Sequence, residues 1–237
     1  MNALPPVMLL DLDDTILRFS AAGDECWRAL CAEFAPGLGL TVQTLHDAIG
    51  RSARAYWADP ERHRIGRLDL VAARRLIVRD AFTTLGCAAD AEAVALADRF
   101  TFDREERVRP FDGAIETLQA LRDHGTRLGL LTNGNGKFQR RKIDRFDLAR
   151  LFDVILIEGE LGFGKPDERV FRRALGDLAC APNDAWMVGD NLEWDIYPAQ
   201  RIGIADVWVD HAGAGLPDDS SIAPTRTVSA LAEVLAL

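Results

Sequence analysis

The chain has 237 residues, of which 48% are hydrophobic, 27% charged and 8% aromatic, a composition that excludes a disordered, collagen-like or disulfide-scaffold protein. A chain of this length buries a core as one large domain or two modest ones. Its 28 Lys+Arg against 37 Asp+Glu give a net charge of −9, which disfavours non-specific binding to a nucleic acid polymer or to an anionic membrane.

Cys26, Cys31, Cys87 and Cys180 show no CxxC spacing and have no His pair nearby, so a zinc site is not expected. The opening MNALPPVMLL lacks a basic n-region and meets Asp11 after ten residues, which reads as neither a signal peptide nor a membrane span. The expectation is a cytoplasmic chain with reduced thiols.

In chain order, the apolar run 7–10 ends at DLDDT and fits a strand buried on both faces. Apolar residues at helical spacing then mark four helices over 24–34, 41–57, 69–85 and 90–100, with no strand between them. From Pro110 the pattern alternates. A helix over 114–124 stops at Gly125, and a strand over 127–131 ends at Thr132-Asn133-Gly134. A basic helix over 138–146 precedes a strand over 153–157, and Pro166 stands where a helix through Leu178 can begin. Strands over 185–188 and 205–209 follow, and a short helix over 229–237 closes the chain. Strand–helix alternation predicts a parallel sheet wrapped by helices on both faces, with the helical stretch inserted directly after its first strand. Because ligands sit beyond the carboxyl ends of such strands, the insertion is expected to act as a lid on the site.

Those strand ends carry Asp11, Asp13 and Thr15; Thr132 and Asn133; the loop bearing Lys165; and Asp190 with Asp195. Converging carboxylates repel one another and call for a cation, and oxygen donors without clustered His or Cys favour Mg²⁺ over zinc. A lysine and a threonine hydroxyl in the same place suit a phosphate. The set describes phosphoryl transfer.

With these motifs the sequence resembles a haloacid dehalogenase superfamily phosphatase. DLDDT at 11–15, LLTNG at 130–134, GKPD at 164–167 and GDNLEWD at 189–195 stand in the family's order. The resemblance implies a doubly wound, Rossmann-like α/β core over 1–16 and 108–237, with a C1-type helical cap over 17–107. It implies that Asp11 is the nucleophile forming an aspartyl-phosphate, and that Asp13 protonates the leaving alcohol and then activates water. Asp11 and Asp190 would bind Mg²⁺ through carboxylates and Asp13 through its main-chain carbonyl. Thr132 and the Asn133 amide would grip the phosphoryl oxygens, Lys165 would neutralise charge there, and Asp195 would orient Lys165 or a metal-bound water. Asp13 favours phosphatase over dehalogenase, because a halide leaves without a proton and an alkoxide does not.

The expected activity is Mg²⁺-dependent hydrolysis of a small phosphomonoester, of nucleoside monophosphate or sugar phosphate type, by a monomer or homodimer. A phosphomutase, a 2-haloacid dehalogenase and a catalytically silent binding module are the competing readings. The GxxxxGK spacing of Gly159, Gly164 and Lys165 is set aside, because Pro166 stands where a nucleotide-binding loop needs a hydroxyl. His46, His63, His124 and His211 are expected at the surface, Arg140, Arg141 and Lys142 on a solvated helix face, and the tryptophans in packing.

Overall fold

The computed structural model describes residues 4–237. The chain divides into two compact units, one joining the residues up to Arg18 to Arg109–Leu237 and the other spanning Phe19–Val108.

The first unit is built on a six-stranded parallel sheet of β1 (Val7–Leu10), β2 (Arg127–Thr132), β3 (Val154–Ile157), β4 (Ala185–Gly189), β5 (Ala205–Val209) and β6 (Arg226–Val228). The strand order is β3-β2-β1-β4-β5-β6. β1 therefore lies between two neighbours, with Met8 level with Leu128 on one side and Trp186 on the other. All four of its residues are buried, which is why VMLL is a continuous apolar run rather than an alternating one. The order reverses beside β1, so the chain leaves the ends of β1 and β4 in opposite directions and opens a crevice there.

Helices α6 (Ala114–Asp123), α7 (Gly136–Arg145), α8 (Glu158–Leu161), α9 (Glu168–Asp177) and α10 (Tyr197–Arg201) fill the connections. α9 begins two residues later than Pro166 suggests. Asp167 is its N-cap and accepts from Arg169 N, so an acidic cap rather than the proline ring starts the helix. The three-residue strand β6 and the short α8 and α10 carry too little periodicity to be read from sequence. The chain ends in a 3₁₀ turn over Leu231–Ala236.

The second unit holds α1 (Phe19–Phe34), α2 (Val42–Ala58), α3 (Pro60–Gly66), α4 (Leu70–Thr84) and α5 (Asp90–Arg107), one helix more than the four expected. The addition is the seven-residue α3, started by Asp59, whose carboxylate accepts from Glu61 N and Arg62 N, with Pro60 at the first helical position. The core of this unit includes Leu30, Leu45, Ile49, Ile77, Phe82, Leu96 and Phe100. Trp27 stacks on Phe100 with ring centroids 3.7 Å apart. Arg74 is buried in the same unit with both terminal guanidinium nitrogens lacking a hydrogen-bond partner among the described residues.

Candidate active site

The loop after β1 turns sharply. Asp14 takes a left-handed conformation at φ 63° and its N–H donates to Leu17 O at 2.7 Å. Aspartate tolerates that conformation, so this third carboxylate of DLDDT has a backbone reason to be there. Thr15 is fully buried; its hydroxyl accepts from Asp190 N at 3.1 Å and donates to Asp190 Oδ1 at 3.4 Å, tying the ends of β1 and β4 together. Trp208 adds a donor from β5, its Nε1 reaching Asp190 O at 2.7 Å.

Between these ends lies Lys165, 3% exposed, with Nζ 2.5 Å from Asp11 Oδ1 and 2.6 Å from Asp195 Oδ1. Asp195 sits on a π-helical turn over Leu192–Ile196, and its second oxygen accepts from Asn191 N at 3.1 Å. A side chain at Gly189 would collide with the Asp195 carboxylate, so only glycine lets β4 end this close to it. The Lys165 main chain is held by Asn133, whose Oδ1 accepts from Lys165 N and whose Nδ2 donates to Lys165 O. Thr132, the last residue of β2, is buried beside it in sequence.

Burial first, and then the neighbouring Asp195 and Asp13, raise Asp11 to about 7 against the pull of Lys165. Burial and Asp11 raise Asp190 to about 8. Burial pulls the Lys165 ammonium down, but Asp11 and Asp195 together outweigh it and the net shift is upward. Carboxylate oxygens of Asp11, Asp190 and Asp195 lie within 4.8 Å of one another. Three acids crowded to that distance around one lysine form an oxygen-donor set suited to a hard divalent cation.

The structure thus brings Asp11, Lys165, Asp190 and Asp195 into one cluster, with Asn133 attached through the Lys165 backbone. Asp13 faces a different pair. Its Oδ1 and Oδ2 lie 2.7 and 2.5 Å from Lys142 Nζ, and Gln139 Nε2 donates to Oδ2 at 3.0 Å. Lys142 was expected on a solvated face with Arg140 and Arg141, and the structure corrects this. Arg141 is exposed and Arg140 pairs with Glu160, whereas Lys142 is buried on the opposite face of α7 beside Ile143. Its three-residue spacing from Gln139 was the available signal. His211 also departs from a plain surface position, stacking on Phe111 at 3.6 Å.

The α/β sheet gathers acidic residues at its strand ends around a buried lysine, and a family model for haloacid dehalogenase-like hydrolases matches residues 6–203. The chain belongs to that family. It is 36% identical over 96% of its length to a phosphoserine phosphatase of Thermus thermophilus, covering 97% of that protein. A glyceraldehyde 3-phosphate phosphatase of Methanopyrus kandleri is 31% identical over 84% of this chain and 82% of its own. Among solved structures, the haloacid dehalogenase-type hydrolase YfnB of Bacillus subtilis superposes with a TM-score of 0.77 over 99% of this chain and 98% of its own, at 22% identity. Within its family the protein is a phosphoric monoester hydrolase.

Proposed function

We propose that the protein hydrolyses a small alkyl phosphomonoester through an aspartyl-phosphate on Asp11, with Mg²⁺ as cofactor. The observation that carries this reading is the bridge from Lys165 Nζ to both Asp11 and Asp195, beside Asp190. A carboxylate approaches a phosphate dianion only where fixed positive charge offsets the repulsion, and here a buried ammonium already touches the attacking group.

Asp11 attacks phosphorus while the P–O bond to the alcohol breaks, and Asp13, entering this step as the carboxylic acid, gives the departing oxygen its proton and is left as the carboxylate. Asp13 then removes a proton from the water that attacks the phosphorus of the acyl phosphate, freeing Asp11 and inorganic phosphate. The Asp11 and Asp190 carboxylates and the Asp13 main-chain carbonyl would hold Mg²⁺, which would neutralise charge on the phosphoryl group. Thr132 would donate to phosphoryl oxygens through its hydroxyl. The Asn133 side chain is engaged with Lys165, so its contribution to phosphate is assigned to its main-chain N–H. The helical unit inserted after β1 is read as the cap that selects the alcohol.

Asp13 supports this reading over dehalogenation, although a 2-haloacid dehalogenase of Pseudomonas syringae shares the fold at 29% identity and a TM-score of 0.63. The named activities of the relatives, on phosphoserine, on glyceraldehyde 3-phosphate and, in Escherichia coli YjjG, on pyrimidine 5'-nucleotides, favour a small metabolite ester. The test is release of phosphate from p-nitrophenyl phosphate and then from a panel of these esters, with Mg²⁺ or EDTA. Turnover that needs metal and disappears in Asp11→Asn supports the reading; metal-independent turnover, or activity that survives in Asp11→Asn, overturns it.

A further inference from the structure

We propose that Lys142 and Gln139 of α7 are positioning residues for Asp13, fixing the carboxyl that exchanges protons with the leaving alcohol. The inference rests on the phosphatase reading above and extends it to two residues outside the four motifs. Three observations carry it.

Lys142 is 3% exposed, and its ammonium contacts both oxygens of Asp13 at 2.7 and 2.5 Å. A buried ammonium is costly without a carboxylate of its own, so the pair restricts where Asp13 can point. Gln139 Nε2 donates at once to Asp13 Oδ2 at 3.0 Å and to Asn133 O at 2.5 Å. That second bond registers Asp13 to the loop after β2, the loop assigned to the phosphoryl group. Finally, Gln139 Oε1 is buried with no partner among the described residues. The amide keeps Nε2 on its two acceptors although its own oxygen goes unsatisfied, an orientation that the Asp13 and Asn133 contacts alone account for. Helix spacing explains the pairing, since residues three apart share a face of α7.

A group that acts by orienting a general acid matters in proportion to how badly the leaving group needs a proton. The test is therefore kcat/KM, which reports phosphoryl transfer, for phenyl phosphate and for 2,4-dinitrophenyl phosphate with Mg²⁺. Asp13→Asn is the reference and is expected to lose far more on the poor leaving group than on the good one. Lys142→Met should follow it, losing about 100-fold on phenyl phosphate and only several-fold on the dinitrophenyl ester. Lys142→Arg should recover part of the loss. Gln139→Leu, a neutral exchange that keeps the fold if Lys142→Met does not, should show the same bias at a smaller size.

Equal losses on both esters, or none, in Lys142→Met and Gln139→Leu while Asp13→Asn discriminates would overturn the positioning role and leave the phosphatase reading standing. An Asp13→Asn variant without bias would instead overturn the role of Asp13 itself, and this inference with it; a wild-type protein inert toward both esters and toward the metabolite panel would overturn the phosphatase reading on which both rest.

Discussion

The side chain of Asn133 brackets the main chain of Lys165, accepting from its N–H at 2.9 Å and donating to its carbonyl at 2.6 Å. An asparagine at a strand end thereby sets where a lysine 32 positions later enters the acidic cluster. Gly164 makes the approach possible, because a Cβ there would collide with Asn133 Oδ1. Asn133→Ala should release this loop and lower kcat by about 10²-fold, the scale of an ångström of misplacement at a reacting centre. Steady-state kinetics beside an unchanged circular dichroism spectrum would check it.

Gly189 offers a second geometric test. Gly189→Ala places a methyl group against the Asp195 carboxylate, within a site whose contacts are already close. The expected result is a loss of about 1–3 kcal/mol in stability by denaturant titration, with activity falling further because Lys165 loses one of its two carboxylate partners. An alanine variant with native stability would show that the π-helical turn yields freely.

The two raised acids define a pH dependence. Asp11 at about 7 and Asp190 at about 8 keep protons in the folded, metal-free chain that the unfolded chain releases near 3.8. Their contribution to stability is therefore full below the unfolded value and is lost as pH rises through 7 to 8. Metal-free protein should lose melting temperature on their account as pH rises from about 4 to about 8, and level off above that. Mg²⁺, which needs the ionised oxygens, should raise the melting temperature more at pH 8.5 than at pH 6. A metal-induced rise that is the same at both values would contradict the shifts.

Arg74 is a test within the helical unit. Burial first, and then Arg104, lower it to about 9 against the pull of the buried Glu105, and its terminal nitrogens have no hydrogen-bond partner among the described residues. Replacing an unsatisfied buried cation by an apolar chain of similar length removes a desolvation penalty. Arg74→Met should stabilise the protein by about 1–4 kcal/mol, read by thermal or denaturant unfolding. The Arg74 guanidinium also lies 5.0 Å from the Phe100 ring centroid, and a destabilised variant would mean that this contact and the attraction to Glu105 outweigh the penalty.

Much of this architecture is legible before any coordinates. The run VMLL reads as a doubly covered strand because both its faces are buried, and the polar residues that end β1, β2 and β4 converge once the strands are parallel. What stayed hidden depends on distant partners. Lys142 looks like one more charge in a basic run, and only Asp13, 129 positions earlier, makes its face of α7 the interior one. β6 is three residues long and takes its place from pairing with β5, which local pattern cannot supply. α3 was within reach, since an Asp-Pro pair opens it, but its seven residues fall short of two clear turns of periodicity.

The position of β1 has a consequence for biosynthesis. Of the six strands, β1 comes earliest in the chain yet lies inside the sheet, and its partners are residues 127–132 and 185–189. Phe19–Val108, a contiguous unit with its own apolar core, is complete while that strand still lacks any neighbour. Until β2 is made, the VMLL strand has both edges unpaired and is open to wrong pairing or chaperone capture. Slowing translation between the end of α5 and β2 should therefore increase aggregation of nascent chains, and placing β1 at the carboxyl end by circular permutation should reduce it.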